Sequence, residues 1–204
     1  MKKFVFALSL VVCLNLPAYA LLGLGFGLHG GMTNGYSYDE IDNCLGEIAD
    51  SLGINEELTF DEELTSIGAH VKIGTLPLPV DFWLFADYAW GKKEINDQVD
   101  FKLHDLSVGL SLKKSFDVMP IVKPYVGAGA AMHAMAYEFD TELTQSFPIP
   151  DNQSKIGYHF LGGVEVNVPM FPFVPYAEGR YNIIATDEKS TKFLLLEAGI
   201  SLTF

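Results

Sequence analysis

Cysteine is nearly absent: the 204 residues include only Cys13 and Cys44. A densely disulfide-stapled scaffold is therefore excluded. Basic residues are scarce as well, 13 Lys and Arg against 26 Asp and Glu for a net charge of −13, which disfavours a nucleic-acid or other phosphate-binding surface. Past residue 20 no apolar run reaches the roughly 20 residues that a membrane helix needs. The most apolar stretch, Pro124 to Ala136, is shorter and carries His133. What is plentiful points elsewhere. Apolar residues make up 49% of the chain, which excludes a disordered polymer, and 19 Gly, 15 Phe and 9 Tyr suit twisted strands better than a helix bundle.

The first 20 residues read as a secretory signal. Lys2-Lys3 give a basic start, Phe4 to Leu16 an apolar stretch, and Pro17-Ala18-Tyr19-Ala20 a small-x-small cleavage pattern. Cleavage after Ala20 divides the chain into a signal, 1–20, and one mature domain, 21–204. Acylation at Cys13 is the competing reading, and Val12 stands where that chemistry wants a small residue. Loss of the signal takes Lys2, Lys3 and Cys13 with it, so the mature net charge falls to −15 and Cys44 has no intrachain partner. Stability outside the cytoplasm must then come from hydrogen bonding and packing, as in a closed barrel.

Period-two alternation recurs along the mature chain. Leu22, Leu24, Phe26 and Leu28 alternate with Gly23, Gly25, Gly27 and His29. Seven more segments behave alike: 67–74, 80–90, 105–112, 126–133, 158–166, 176–183 and 194–204. The count of eight is even. A soluble ligand-binding barrel with Trp83 and Phe85 in its pocket would show the same alternation with the faces reversed. Two features favour a membrane barrel. Short, Pro-rich connections (Leu76-Pro77-Leu78-Pro79, Met119-Pro120, Val168-Pro169-Met170-Phe171-Pro172) alternate with segments that are mostly longer and polar, 33–64, 91–100, 138–154 and 184–191. The sequence also stops at Phe204, directly after an alternating strand. The fold class expected is all-β, an eight-stranded antiparallel up-and-down transmembrane barrel.

Signal, eight strands, ascending strands that open Pro124-Tyr125-Val126-Gly127 and Pro175-Tyr176-Ala177-Glu178-Gly179, and a terminal Leu202-Thr203-Phe204 resemble the small OmpA/OmpX-like outer-membrane barrels. The resemblance implies a bacterial outer-membrane location among membrane lipids and lipopolysaccharide. It also implies that Phe204 is the signal by which the barrel assembly machinery selects its clients. An interfacial aromatic anchor is the plainer role for the same residue.

Strand parity sends Lys72, Asp87, Asp105, Glu165, Glu178, Arg180 and Glu197 into the lumen, together with His29, His70, His133 and His159. Charges at membrane depth must face inward and pair. Glu178 and Arg180 share a face, and Glu197 on the next strand is a second partner, so an ion-pair network filling the lumen is expected. No catalytic, cofactor-binding or metal-ligating residue is assigned. Ser107, Ser111 and Ser201 fall toward the inner rim, away from the substrate of lipid A-modifying barrels, and the scattered His residues lack zinc-site spacing.

Ten acids and no Lys or Arg lie between Met32 and Lys72, spanning Asp39 to Glu63. Ile41, Leu45, Ile48 and Leu52 recur at helical spacing, so 38–52 is expected as a short amphipathic helix over the barrel mouth, with Cys44 a small apolar filler. The loop reads as a solvated acidic surface or as a weak divalent-cation patch; EF-hand spacing is absent. The functional expectation is a non-enzymatic outer-membrane protein, structural or acting through its loops. A narrow small-solute channel and a lipid A-modifying enzyme are the alternatives.

Overall fold

A computed structural model describes residues 23–37, 46, 63–74, 79–95, 99–140, 152–185 and 190–203. Eight strands form one closed barrel in sequence order: β1 (Leu24–Ser37), β2 (Thr65–Gly74), β3 (Asp81–Ile95), β4 (Val99–Ser115), β5 (Val122–Asp140), β6 (Gln153–Val166), β7 (Phe173–Ile184) and β8 (Thr191–Thr203). Every pairing is antiparallel, and β1 closes the sheet on β8 from Gly25↔Thr203 upward. Closure leaves no backbone edge unpaired, the condition for strands to cross lipid. The described strands run 10 to 19 residues, enough for the roughly 9–11 that a tilted span requires. Among the described residues no helix is long and apolar enough to cross a membrane.

The alternation resolves inside from outside. Phe26, Leu28, Ile67, Leu84, Val108, Val126, Phe160 and Ile200 are exposed on the outer surface. His29, His70, Asp87, Ser107, His159 and Glu197, from the opposite parity, are buried. An apolar exterior around a polar interior is the reverse of a soluble barrel. Trp83 and Phe85 do face the lumen, but among charged side chains rather than in an apolar pocket.

Glycine makes room for the lumen's rings. Gly129 pairs with His159 and Gly163 with Tyr125 across β5 and β6. A Cβ at Gly129 would stand 2.5 Å from His159 Nε2, and one at Gly163 would stand 2.5 Å from the Tyr125 hydroxyl. Each large ring thus lies over a neighbour's bare backbone, which lets a narrow barrel hold aromatic side chains inside.

Several boundaries differ from the sequence reading. The polar segment 91–100, expected as a loop, is mostly strand: Gly91↔Leu103 through Ile95↔Val99 continue the β3–β4 ladder. Likewise 33–37 belongs to β1 and 138–140 to β5. Hydrophobic alternation ends at the lipid boundary, whereas backbone pairing does not need lipid and continues past it. Lys113, just past the alternating segment 105–112, is a buried residue of β4. The signal, the Leu76-Pro77-Leu78 segment, the 38–52 helix apart from Gly46, Cys44 and Phe204 lie outside the described residues.

Candidate functional site in the barrel lumen

The lumen has two layers. At the end opposite the start of β1 and the end of β8, Leu64, Phe101, Leu103, Met135, Tyr137, Ile184 and Phe193 are buried. The Phe101 and Tyr137 rings stack at 6.3 Å, and Leu64 is tied inward by reciprocal bonds, its N–H donating to Thr33 Oγ1 at 3.0 Å and its carbonyl accepting from Thr33 N–H at 2.8 Å. This apolar cap closes one mouth. Below it lies the charged layer that strand parity predicts.

Arg180 on β7 occupies the centre. Its Nη1 donates to Asp87 Oδ2 at 2.6 Å and its Nη2 to Glu197 Oε1 at 3.1 Å, while Nε and Nη2 both reach Glu178 Oε1 at 3.3 Å. Its guanidinium also lies 4.3 Å from the centre of the Phe85 ring. Three carboxylates from three strands converge on one cation because Glu178 and Glu197 are cross-strand partners and Asp87 reaches in from β3. Lys113 pairs with the second oxygen of Glu178 and sits over Trp83, 3.6 Å from the ring centre. Lys72 joins Glu165 at 3.5 Å to Asp81 at 3.1 Å, and His133 Nδ1 meets Asp105 Oδ2 at 2.9 Å.

Six of the seven lumen residues named from the sequence enter ion pairs with Lys, Arg or a carboxylate and the seventh, Asp105, meets His133, but they form a central cluster and satellites rather than one network. Asp87, Glu178, Arg180 and Glu197 are joined directly, with Lys113 through Glu178. Lys72 and Glu165 sit together elsewhere, and Asp105 belongs to His133. Lys113 is the functional residue that sequence reasoning missed. Its signal was present, since it continues the parity of Asp105, Ser107 and Ser111, which are lumen-facing.

A hydrogen-bonded chain leaves the cluster. His29 Nε2 lies 2.6 Å from Asp87 Oδ1, His29 Nδ1 lies 3.5 Å from His70 Nδ1, and His70 Nε2 lies 2.7 Å from Ser201 Oγ. With both imidazoles neutral, one consistent direction is Ser201 donating to His70, His70 to His29, and His29 to the Asp87 carboxylate. Ser111 Oγ and His159 Nε2 form a second buried pair at 2.8 Å. These Ser–His contacts, which no local motif announces, face the lumen and are buried on both sides. Two buried carboxylate oxygens, Asp105 Oδ1 and Glu197 Oε2, lack a hydrogen-bond partner among the described residues. Between the layers, a void lined by Thr33, Ser66, Asp87, Asp105, His133 and Arg180 has a volume of about 20 Å³, room for a single water.

A closed eight-stranded antiparallel barrel with a lipid-compatible exterior and a paired ionic interior defines a small outer-membrane β-barrel protein. The chain belongs to the Opacity family of porin proteins, whose family profile matches residues 79–204. Comparison with curated proteins gives no match. Among solved structures the chain is similar to Neisserial surface protein A (TM-score 0.60, 22% identity, covering 89% of this chain and 97% of that one). It is also similar to Ail of Yersinia pestis, solved with the heparin analogue sucrose octasulfate (TM-score 0.51, 13% identity, 89% and 100%). A third likeness is to the N-terminal barrel domain of Pseudomonas aeruginosa OprF (TM-score 0.50, 12% identity, 90% and 98%). At these identities the likeness is one of fold. In such barrels short turns face the periplasm and long loops the exterior, which puts the apolar cap at the outer mouth.

Proposed function

We propose that the protein is a non-conducting, non-catalytic outer-membrane barrel whose role is exercised at the cell surface, through its outer loops or by stabilising the membrane. The observation that carries this reading is the double closure of the lumen, with an apolar cap in series with the Arg180 cluster and a void of only about 20 Å³ between them. Moving an ion through would require breaking buried charge pairs and then dehydrating the ion against Phe101, Leu103 and Ile184. Both steps are unfavourable in a narrow, low-dielectric passage. The partners that follow are outer-membrane lipids, lipopolysaccharide and the barrel assembly machinery, with weak divalent binding by the acidic segment 39–63 and no nucleic acid.

Planar-bilayer recording of the folded protein tests it. The expected result is a silent bilayer under applied voltage; reproducible unitary steps from the wild type would replace this reading with the narrow channel. The catalytic alternative predicts altered lipid A after incubation with the barrel, and mass spectrometry is expected to find the lipid A unchanged.

A further inference from the structure

Beyond closing the lumen, the geometry points to a buried transition-metal site in which His29 Nε2, Asp87 Oδ1 and Glu197 Oε2 bind one divalent ion of the Zn²⁺ type. One ligand atom from each of these residues, on β1, β3 and β8, lies within 4.8 Å of the other two. His29 Nε2 is 2.6 Å from Asp87 Oδ1 and 3.9 Å from Glu197 Oε2. Donors at Zn²⁺ bond lengths in a tetrahedron stand ~3.4 Å apart, so each of the two His29 contacts needs a sub-ångström adjustment, of opposite sense, to reach that spacing.

Four independent features favour a cation there. Glu197 Oε2 is buried, is directed at His29, and has no hydrogen-bond partner among the described residues. An unpaired buried carboxylate oxygen is costly, and a metal ion would satisfy it. Arg180 holds the other oxygen of each carboxylate, Asp87 Oδ2 and Glu197 Oε1, which orients Oδ1 and Oε2 toward the imidazole as an outer-shell donor does. Charge points the same way. At the centre itself Asp87, Glu178 and Glu197 outnumber Arg180 and Lys113 by one, so the cluster carries net negative charge beside the proposed ion. Finally, Gly68 keeps the space beside the donors clear: a Cβ there would come within 2.2 Å of both Asp87 Oδ1 and His29 Nε2, and 2.8 Å from the Ala86 carbonyl oxygen.

The proton on His29 need not leave the protein. When Nε2 binds the ion, the proton moves to Nδ1 and donates to His70 Nδ1. His70 then carries its own proton on Nε2 and donates to Ser201, whose hydroxyl turns to accept. The His29–His70–Ser201 chain thus serves as the outer-shell support that metal-bound imidazoles usually have. One nitrogen and two oxygens, with a water completing four, match Zn²⁺ or Co²⁺ better than the all-oxygen shells of Ca²⁺ and Mg²⁺. None of this depends on whether the lumen conducts.

The full mature barrel, refolded in detergent with Co²⁺ or Zn²⁺ after chelator treatment, is the material to test. One equivalent is expected to survive gel filtration, with Zn²⁺ displacing the visible absorption of Co²⁺. Folding of each variant is checked by heat-dependent mobility on gels. His29→Gln and Glu197→Gln should each weaken binding by more than about tenfold, and Asp105→Asn, at a carboxylate outside the triad, should not. Gly68→Ala should behave like the ligand variants. If a variant does not fold, X-ray absorption of the Zn²⁺-loaded wild type decides: an imidazole nitrogen with light-atom donors at about 2.0–2.2 Å supports the site. The absence of a retained equivalent, equal uptake by His29→Gln, or a spectrum showing sulfur or oxygen donors without imidazole would overturn it, the last two assigning the metal to Cys44 or to the acidic segment.

Discussion

The two layers of the lumen close the same hole by opposite means. The cap excludes water by burying Phe101, Leu103, Met135 and Ile184 against one another, with few directional constraints. The central layer fills its cross-section with charge, and each group depends on partners from other strands: Arg180 on Asp87, Glu178 and Glu197, and Lys113 on Glu178. Loss of one cap residue leaves a cavity. Loss of one central residue leaves a buried charge with no counter-ion, which is a larger penalty.

That contrast sets the order of the expected effects. Arg180→Ala should be the most damaging single change, lowering stability by about 3–5 kcal/mol, because three carboxylates lose their shared cation. Adding Glu197→Gln should restore part of the loss, because Glu197 has no other Lys or Arg partner among the described residues, whereas Glu178 keeps Lys113. Urea unfolding in lipid vesicles reads both, and an unchanged midpoint in the single variant would mean that the centre is wet. Leu103→Ala in the cap should cost somewhat less, about 3 kcal/mol, and no second-site charge change should rescue it. Because the layers stand in series, neither single variant should conduct in a planar bilayer, whereas Arg180→Ala with Phe101→Ala should. Conductance from Arg180→Ala alone would show that the cap does not seal.

Gly129→Ala probes the central layer without touching its charge. The added Cβ would stand 2.1 Å from the Leu110 carbonyl oxygen and 2.5 Å from His159 Nε2, so backbone as well as ring must shift. A loss of about 1–3 kcal/mol is expected, together with disruption of the Ser111–His159 contact. A neutral result would mean that the ring has room to turn away, and that the lumen is packed more loosely than its buried rings imply.

The central layer was more legible in the sequence than the cap, and the reason is physical. A charge on an alternating strand at membrane depth has one tolerable direction, so parity alone placed Asp87, Glu178, Arg180 and Glu197 inward. An apolar residue beyond the lipid boundary has no such constraint. Phe101 and Leu103 share the parity of Asp105, but with 91–100 read as a loop the alternation was not followed back to them. What parity could not give was adjacency around the ring. His29, Asp87 and Glu197 are far apart in sequence, and only the registers of β1 with β2 and β8, and of β2 with β3, bring them to one level. Metal-ligand spacing rules look for neighbours along the chain, and such a cluster passes through them unseen. Lys113 was lost for a smaller reason, since the strand was ended one parity step too soon.

The smallest effect expected lies outside both layers, at the turn between β6 and β7, and it calibrates them. Val168, Pro169, Met170 and Phe171 form a tight turn in which Phe171 N–H donates to the Val168 carbonyl at 3.1 Å. Pro169 occupies the second position, and Met170, in the third, has φ of 70°. Pro followed by a residue of positive φ is the pattern of a type II turn, and the third position of that turn suits glycine. A side chain in the left-handed region costs roughly 1–2 kcal/mol, part of which glycine gives back through its greater freedom in the unfolded chain. Met170 is fully exposed and leaves no cavity when removed. Met170→Gly should therefore raise stability by about 1 kcal/mol and leave the lumen untouched, seen as a higher urea midpoint in detergent with an unchanged response to Arg180→Ala. A gain in detergent that disappears in lipid vesicles would show that the thioether anchors the turn in the membrane interface, and a loss in both would mean that the turn adopts another backbone conformation.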